Sequence, residues 1–394
     1  MKQKRTTPMN SRIRILTSLF VLLLLLGQCK QKYDSPYSPP VTGYLVVEGF
    51  IAGNAPTRFT LSRVIHLPGD STIPVVRGAK VQVEGTDNSV YPLAESSPGV
   101  YMANTLPLNA TVRYRLRIAS DGDTYLSDTV AYKITPPIDS LTWTQAPEGV
   151  YIYANTHDPA NATHYYQWQF QETWQYTAAE FSNYAFREKG GSNKQDTVTI
   201  RDDSEYIYNC WRSDASTPLL LGSSAKLAQD VIYRQKLQFI PRATSQISVL
   251  YSMIAQQYAL TKEAYDFLSL MRSNTESLGS IFDAQPSQLQ GNIHSLTHPD
   301  EQIIGFVSAG TVQQQRIFIS RTDVPNWGYI FVCADPDTLV FPSKIDNFFS
   351  GGAYVPIDRQ YGAFGFLGWS ANGNYCVDCR LQGGTTKKPS FWPN

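Results

Sequence analysis

A series of short runs in which apolar and polar residues alternate constrains the fold more than any other feature of this chain. In the run 112–118, Val112, Tyr114, Leu116 and Ile118 alternate with three arginines. Successive side chains of a strand point to opposite faces, so this pattern predicts a half-buried β-strand. Further runs of this kind, separated by turn-forming residues, predict strands at 44–51, 58–62 and 79–84.

The spacing of these strands and turns predicts an immunoglobulin-like β-sandwich over residues 42–136. Pro136 and Pro137 close it, because proline cannot donate to a strand ladder. More strand-like runs follow, and the 24 Tyr, 18 Phe and 7 Trp favour β structure. We therefore expect a mainly β protein with a larger β-rich domain over residues 137–394.

One segment of that second domain has helical periodicity. In the stretch 261–271, Ala264, Phe267, Leu268 and Met271 recur at helical spacing, and Thr261 is suited to cap the N-terminus. This predicts one amphipathic helix whose apolar stripe packs on the core; a groove for a partner is the alternative. The arginines Arg113, Arg115 and Arg117 form either a solvated face or an anion-binding row.

The N-terminus has the pattern of an export signal. Residues 1–28 contain five basic and no acidic side chains, and a thirteen-residue apolar run extends from Ile15 to Gly27. That run is too short for a membrane-spanning helix, which needs about 20 residues. Cys29 follows in a lipobox-like context, so we expect a lipoprotein signal peptide at 1–28, lipidation of Cys29, and a proline-rich tether at 29–41. An ordinary secretory signal cleaved nearby is the alternative.

The charge of the exported chain argues against nucleic-acid binding. The whole sequence has 33 Lys and Arg against 33 Asp and Glu, and without residues 1–28 it has 28 against 33. Nucleic-acid binding relies on clustered basic residues. We therefore expect no nucleic-acid partner.

Four cysteines remain beside Cys29: Cys210, Cys333, Cys376 and Cys379. An even number in an exported chain predicts two disulfides, with three possible connectivities. The CxxC spacing of Cys376 and Cys379 leaves a thiol redox pair or half of a zinc site as alternatives.

The sequence has no familiar catalytic motif: no nucleophile elbow, zinc-protease helix, phosphate loop or EF-hand. We predict no enzymatic activity, no cofactor and no metal. Weaker alternatives are a metal site at His294 and His298, and a hydrolase that uses acidic pairs such as Asp202–Asp203 with Glu205, or Asp335 with Asp337. Seven tryptophans are candidates for stacking on a sugar or anchoring a partner if they are exposed, although we expect most to be core: Trp143, Trp168, Trp174, Trp211, Trp327, Trp369 and Trp392.

Several short motifs together resemble one family. They are Leu45-Val-Val-Glu-Gly49, Pro98-Gly-Val-Tyr101, Pro136-Pro-Ile-Asp-Ser-Leu141, Lys262-Glu-Ala-Tyr-Asp-Phe267, Gly291-Asn-Ile293, and the tail Cys376-Val-Asp-Cys379 with Gly383-Gly384. The chain thereby resembles the Bacteroidetes lipoproteins with domain of unknown function 4249. That resemblance implies an exported lipoprotein, commonly encoded beside TonB-dependent outer-membrane receptors, with no catalytic residues assigned.

Signal, tether and resemblance together predict a non-enzymatic protein anchored by lipid in the outer membrane. We expect it on the surface leaflet, with the periplasmic leaflet as the alternative. It would be an accessory subunit of a TonB-dependent receptor or another β-barrel complex. The second hypothesis is a surface lipoprotein that binds a glycan or a peptide; the sequence does not identify the ligand.

Overall fold

A computed structural model describes residues 43–64, 74–188, 197–276, 291–333 and 338–393. From Tyr44 onward the chain forms one compact unit. The predicted signal peptide, Cys29 and the tether lie outside the described residues.

The first region contains eight strands in chain order: β1 (Leu45–Ala52), β2 (Pro56–Arg63), β3 (Lys80–Gly85), β4 (Val90–Ser97), β5 (Val100–Thr105), β6 (Arg113–Ser120), β7 (Asp123–Ser127) and β8 (Val130–Lys133). The next region contains β9 (Ile138–Ala146), β10 (Gly149–His157), β11 (Tyr165–Thr177), β12 (Tyr184–Arg187), β13 (Thr197–Ile200), β14 (Asn209–Ala215), β15 (Leu220–Ser223), β16 (Val231–Pro241) and β17 (Leu250–Ala259).

Helix α1 (Lys262–Glu276) follows. The last part of the chain contains β18 (Ile293–Ser295), β19 (Ile303–Ile304), β20 (Ala309–Gly310), β21 (Val312–Ser320), β22 (Thr338–Val340), α2 (Ile345–Phe349), β23 (Tyr354–Gly362), β24 (Gly365–Gly373) and α3 (Asn374–Val377). The prediction of a mainly β protein is confirmed.

The N-terminal strands form a barrel-like ring. Eight strands follow one another around it in the order β1, β2, β5, β4, β3, β6, β8 and β20, and β20 pairs with β1 again. The two layers expected of a sandwich are thus joined at both edges. Strand β6 shows why the chain folds this way: Tyr114, Leu116 and Ile118 are each 1% exposed and fill the interior, because alternate side chains share one face.

The three arginines on the other face of β6 form hydrogen bonds with acceptors of the same protein. Arg115 and Arg117 both bond to Glu84 on β3, at 2.7 and 2.5 Å, and Arg113 donates to the carbonyl oxygen of Thr129 at 2.6 Å. Burial raises the pKa of Glu84, but hydrogen bonds from Arg117, Gln82 and Arg115 lower it to about 2. The row therefore stabilises the sheet.

A later stretch of the chain returns to complete the ring. Strands β18, β19 and β20 pair with β7, β1 and β8, and buried Asn292 exchanges two hydrogen bonds with the backbone of Val307. The chain leaves the ring for the next layer twice, after β8 and after β20, and these two exits lie side by side: the Thr135 N–H donates to the hydroxyl of Thr311 at 2.8 Å. The ring is thus built from two stretches of the chain, 45–133 and 293–310. The domain boundary that the sequence suggests at 136 places only the first stretch in the N-terminal domain.

Two sheets pack face to face beyond the first crossing. One has the order β16, β10, β9, and the other has β14, β11, β17, β21, with β15 also paired to β11. Their facing residues form the largest core, which includes Ile152, Trp168, Leu237 and Tyr251. Long strands of alternating apolar residues make this arrangement possible because each sheet buries one face.

The predicted amphipathic helix is confirmed as α1, which extends to Glu276 and so beyond the predicted end at Met271. The hydroxyl of Thr261 accepts from the Ala264 N–H at 3.2 Å, as expected of a cap. Ala264 is buried in a small cluster with Leu221 and Leu260. The apolar stripe therefore packs on the core of the same chain. Among the residues described, no helix is both long and apolar enough to cross a membrane.

Candidate functional site

Two disulfides tie the C-terminal tail to the rest of the chain. Cys210 on β14 bonds to Cys379, and Cys333 bonds to Cys376 on α3, with a Cα–Cα distance of 5.7 Å in each pair. The prediction of structural disulfides is confirmed. The two cysteines of the CxxC sequence have different distant partners, so they are not bridged to each other.

A recess in this region is lined in part by close sequence neighbours of these cysteines. It is open to solvent, has a volume of about 240 Å³, and is lined by five aromatic and three polar side chains. They are Trp174, Tyr176, Arg212, Ser245, Tyr329, Phe331, Tyr375 and Gln382. We call this set the aromatic recess.

Strand geometry places the first three residues of the aromatic recess. Trp174 and Tyr176 are two residues apart on β11 and so point to the same side, and Arg212 on β14 is the cross-strand neighbour of Trp174. The guanidinium carbon of Arg212 lies 5.5 Å from the centre of the Trp174 ring, a cation–π distance. Tyr176 is anchored at its other end, because its hydroxyl donates to the carbonyl oxygen of Cys379 at 2.9 Å.

The disulfides position three other residues of the aromatic recess. Tyr375 precedes Cys376, Phe331 lies two residues before Cys333, and their ring centres are 5.6 Å apart. Gln382 follows Cys379 in a 3-10 turn. The bonds between the cysteines therefore hold residues from distant parts of the sequence around one opening.

Arg212 is the charged side chain of the aromatic recess. Burial raises the pKa of Tyr176, against the lowering effects of a backbone hydrogen bond at Gly384 and the charge of Arg212. Burial likewise raises the pKa of Tyr329. Both hydroxyls are therefore neutral at physiological pH, and the recess has a positive charge.

A second surface feature is the hairpin formed by β23 and β24. Its tip exposes Tyr361, Phe364, Phe366 and Leu367. Phe364 is fully exposed and Tyr361 is 64% exposed, whereas Trp369 at the base is buried and packs against Phe366 at 4.7 Å between ring centres. We call residues 361–367 the aromatic hairpin. Contiguous exposed apolar groups of this kind mark interaction surfaces.

The two histidines that the sequence suggested as metal ligands have different acidic neighbours. His294 and His298 each lie 3.3 Å from a different aspartate, Asp128 and Asp123, and both are exposed. No cluster of metal-ligating side chains occurs in the part of the chain that the structure describes.

The acidic residues suggested for a hydrolase have structural contacts of their own, in the part of the chain that the structure describes. Asp202 caps a 3-10 turn through the N–H of Ser204 at 2.9 Å, and Glu205 pairs with Arg187. Asp335 and Asp337 lie outside the described residues.

The seven tryptophans divide between core and site. Trp168, Trp327, Trp369 and Trp392 are buried, Trp143 is packed against the largest core, and Trp211 is half-buried. Trp174 is also buried, and it alone of the seven lines the aromatic recess.

One cluster brings together a serine, a histidine and an aspartate. The hydroxyl of Ser224 donates to Asp230, which also accepts from Tyr166, and His164 Nδ1 lies 3.3 Å from the Ser224 oxygen. In a catalytic triad the aspartate would orient the histidine. Here it bonds to the serine, whose side chain is fully buried, so the cluster is a polar connection inside the fold.

A family model described as "Domain of unknown function (DUF4249)" matches residues 30–316. The chain belongs to this family. No curated protein matches the sequence. The DUF4249 match ends before Tyr329, so four residues of the aromatic recess and the whole aromatic hairpin lie beyond it.

Sequence reasoning missed both surfaces. The residues of the aromatic recess are spread from Trp174 to Gln382 and share no periodic pattern. The available signal was the position of Phe331, Tyr375 and Gln382 within three residues of a cysteine. For the aromatic hairpin, the signal was Phe364 between two glycines, Gly362 and Gly365, where a turn would expose it.

Proposed function

We propose that this protein is a non-enzymatic lipoprotein of the bacterial outer membrane and an accessory subunit of a TonB-dependent receptor or another β-barrel complex. Lipidation of Cys29 anchors it, on the surface leaflet, and the tether at 29–41 separates the folded part from the membrane. The export pattern of residues 1–28 and the lipobox-like context of Cys29 support the anchor.

The aromatic hairpin is the observation that carries the proposed partnership. A soluble monomer gains nothing from a fully exposed Phe364 beside an exposed Tyr361 and Leu367, because apolar surface in contact with water is unfavourable. Aromatic anchors of this kind dominate the energetics of protein interfaces. We therefore assign the partner contact to this hairpin.

Affinity purification from membranes in mild detergent tests the partnership. The wild-type protein is compared with Phe364→Asp and with Tyr233→Asp, a matched change at another exposed aromatic residue on β16. We expect a β-barrel protein, identified by mass spectrometry, to co-purify with the wild type and Tyr233→Asp but not with Phe364→Asp. Purification of the wild type alone would contradict the proposal.

The anchor has a separate test. Cys29→Ser removes the thiol that lipidation needs, so we expect loss of fatty-acid labelling and release from the membrane fraction. Cys29→Ser protein that remains labelled and membrane-bound would contradict the anchor without affecting the assignment of the hairpin. Protease accessibility on intact cells distinguishes the surface leaflet from the periplasmic one.

The second candidate function is binding of a glycan or a peptide, and the aromatic recess favours it. The recess combines concavity, five aromatic side chains and an arginine that has no carboxylate partner among the described residues. Concave, mostly aromatic sites with a few polar groups are typical of ligand binding. Calorimetric titration of the purified protein with glycans and peptides tests this function.

A further inference from the structure

We propose that the aromatic recess binds one acidic sugar, a uronate ring within an anionic polysaccharide. This inference rests on the second candidate function and names the class of its ligand. Charge, wall composition and size each support it.

The charge of the recess selects an anion. Arg212 is exposed at the rim, and its guanidinium contacts the Trp174 ring without an ion-pair partner among the residues that the structure describes. The nearby acid Asp378 is neutralised by Arg380, whose guanidinium lies 2.7 Å from it. Arginine binds carboxylates through paired hydrogen bonds, so Arg212 is placed to take a ligand carboxylate.

The walls select a sugar ring over an aliphatic side chain. Every apolar side chain that lines the recess is aromatic, and none is Leu, Ile, Val or Met. The faces of aromatic rings are electron-rich and attract partially positive hydrogen atoms. The C–H groups on the face of a pyranose ring have that character, whereas its hydroxyl groups point outward toward hydrogen-bonding partners.

The size of the recess suits one ring. Its volume of about 240 Å³ is below the roughly 300–1,000 Å³ of sites that enclose drug-sized ligands. The recess is open, with Tyr375 and Arg212 exposed at its edge. A polysaccharide chain can therefore continue into solvent on both sides of the bound unit.

The test is calorimetric titration of the full-length protein in detergent with tetramers of galacturonate, glucuronate and mannuronate. Methyl-esterified galacturonate is the matched ligand without charge, and tetraglutamate is a peptide of similar charge. The variants are Arg212→Gln and Trp174→Phe, with Arg234→Gln as the control. Arg234 also stacks on an aromatic ring, Tyr153 at 4.2 Å, but lies outside the recess.

We expect at least one uronate tetramer to bind, and its ester and tetraglutamate to bind at least tenfold more weakly. Arg212→Gln should weaken uronate binding at least tenfold and Trp174→Phe at least threefold, while Arg234→Gln stays within twofold. Trp174→Phe shrinks the ring that Arg212 contacts and so tests the aromatic wall even if Arg212→Gln does not fold. Equal binding of the ester or the peptide, or equal effects of the two arginine variants, overturns the inference alone. Failure of every one of these ligands to bind overturns the inference; the second candidate function is overturned only if the neutral glycans and peptides of the earlier titration also fail to bind.

Discussion

Removing the disulfides one at a time should destabilise the protein unequally. The first variant replaces Cys210 and Cys379 by alanine, and the second replaces Cys333 and Cys376. The first bridge closes a loop of 169 residues and the second a loop of 43. A cross-link lowers the entropy of the unfolded chain by an amount that grows with the logarithm of loop length.

The loop lengths give the expected magnitudes. Loop-closure entropy corresponds to about 5 kcal/mol for the Cys210–Cys379 bridge and about 4 kcal/mol for the Cys333–Cys376 bridge. Burial increases the difference, because Cys210 and Cys379 are fully buried whereas Cys333 is half-buried. Truncation in a packed core also leaves a cavity. The variant without Cys210 and Cys379 should therefore lose at least about 1 kcal/mol more of the free energy of unfolding.

Guanidinium unfolding followed by circular dichroism measures the free energies, and hydrogen exchange reports the local effect. Trp211 and Thr385 exchange two backbone hydrogen bonds, at 2.8 and 2.9 Å, next to the Cys210–Cys379 bridge. Exchange at Thr385 should accelerate more when this bridge is removed than when the other is. Equal or greater destabilisation by loss of the Cys333–Cys376 bridge would refute the reasoning, as would unchanged protection of Thr385.

Two further predictions concern the N-terminal ring. The folded pKa of Glu84 is about 2 against an ordinary 4.5, so its contribution to stability is present above pH 4.5 and is lost as the pH falls toward 2. Glu84→Gln should therefore lower the free energy of unfolding by about 1–2 kcal/mol at pH 7, after allowance for solvent screening. Near pH 2 the same variant should cost nothing, as measured by acid-unfolding curves. Gly291→Ala would place a Cβ 1.8 Å from the carbonyl oxygen of Gly305, so it should lower stability by more than about 2 kcal/mol in denaturant titrations. Gly351→Ala, with open space around it, should stay within about 0.5 kcal/mol of the wild type.

Local structure could be predicted from the sequence where a local pattern determines it. The alternation at 112–118 identified β6 because one face of that strand is buried, and the helical spacing of Ala264 and Phe267 identified α1 because both pack on the core. The even cysteine count predicted two disulfides. Their pairing required the fold, since Cys210 and Cys379 meet only when the tail returns to β14.

Long-range associations could not be predicted in the same way. Ring closure depends on β20, two residues that contribute through backbone pairing with β1 and β8, and backbone pairing leaves no side-chain pattern. The aromatic recess joins Trp174 and Arg212 to Tyr375 across more than 150 positions of sequence. A single sequence cannot show which distant aromatic residues converge.

Photo-crosslinking from the aromatic hairpin tests the proposed partnership most directly. A benzophenone amino acid is placed at Phe364 in living cells and, as the control, at Tyr233, which is also exposed. The expected result is a crosslink from position 364, and none from 233, to an outer-membrane β-barrel whose mobility changes on heating. Crosslinking from 364 only to lipid, or equal crosslinking from both positions, would contradict the account.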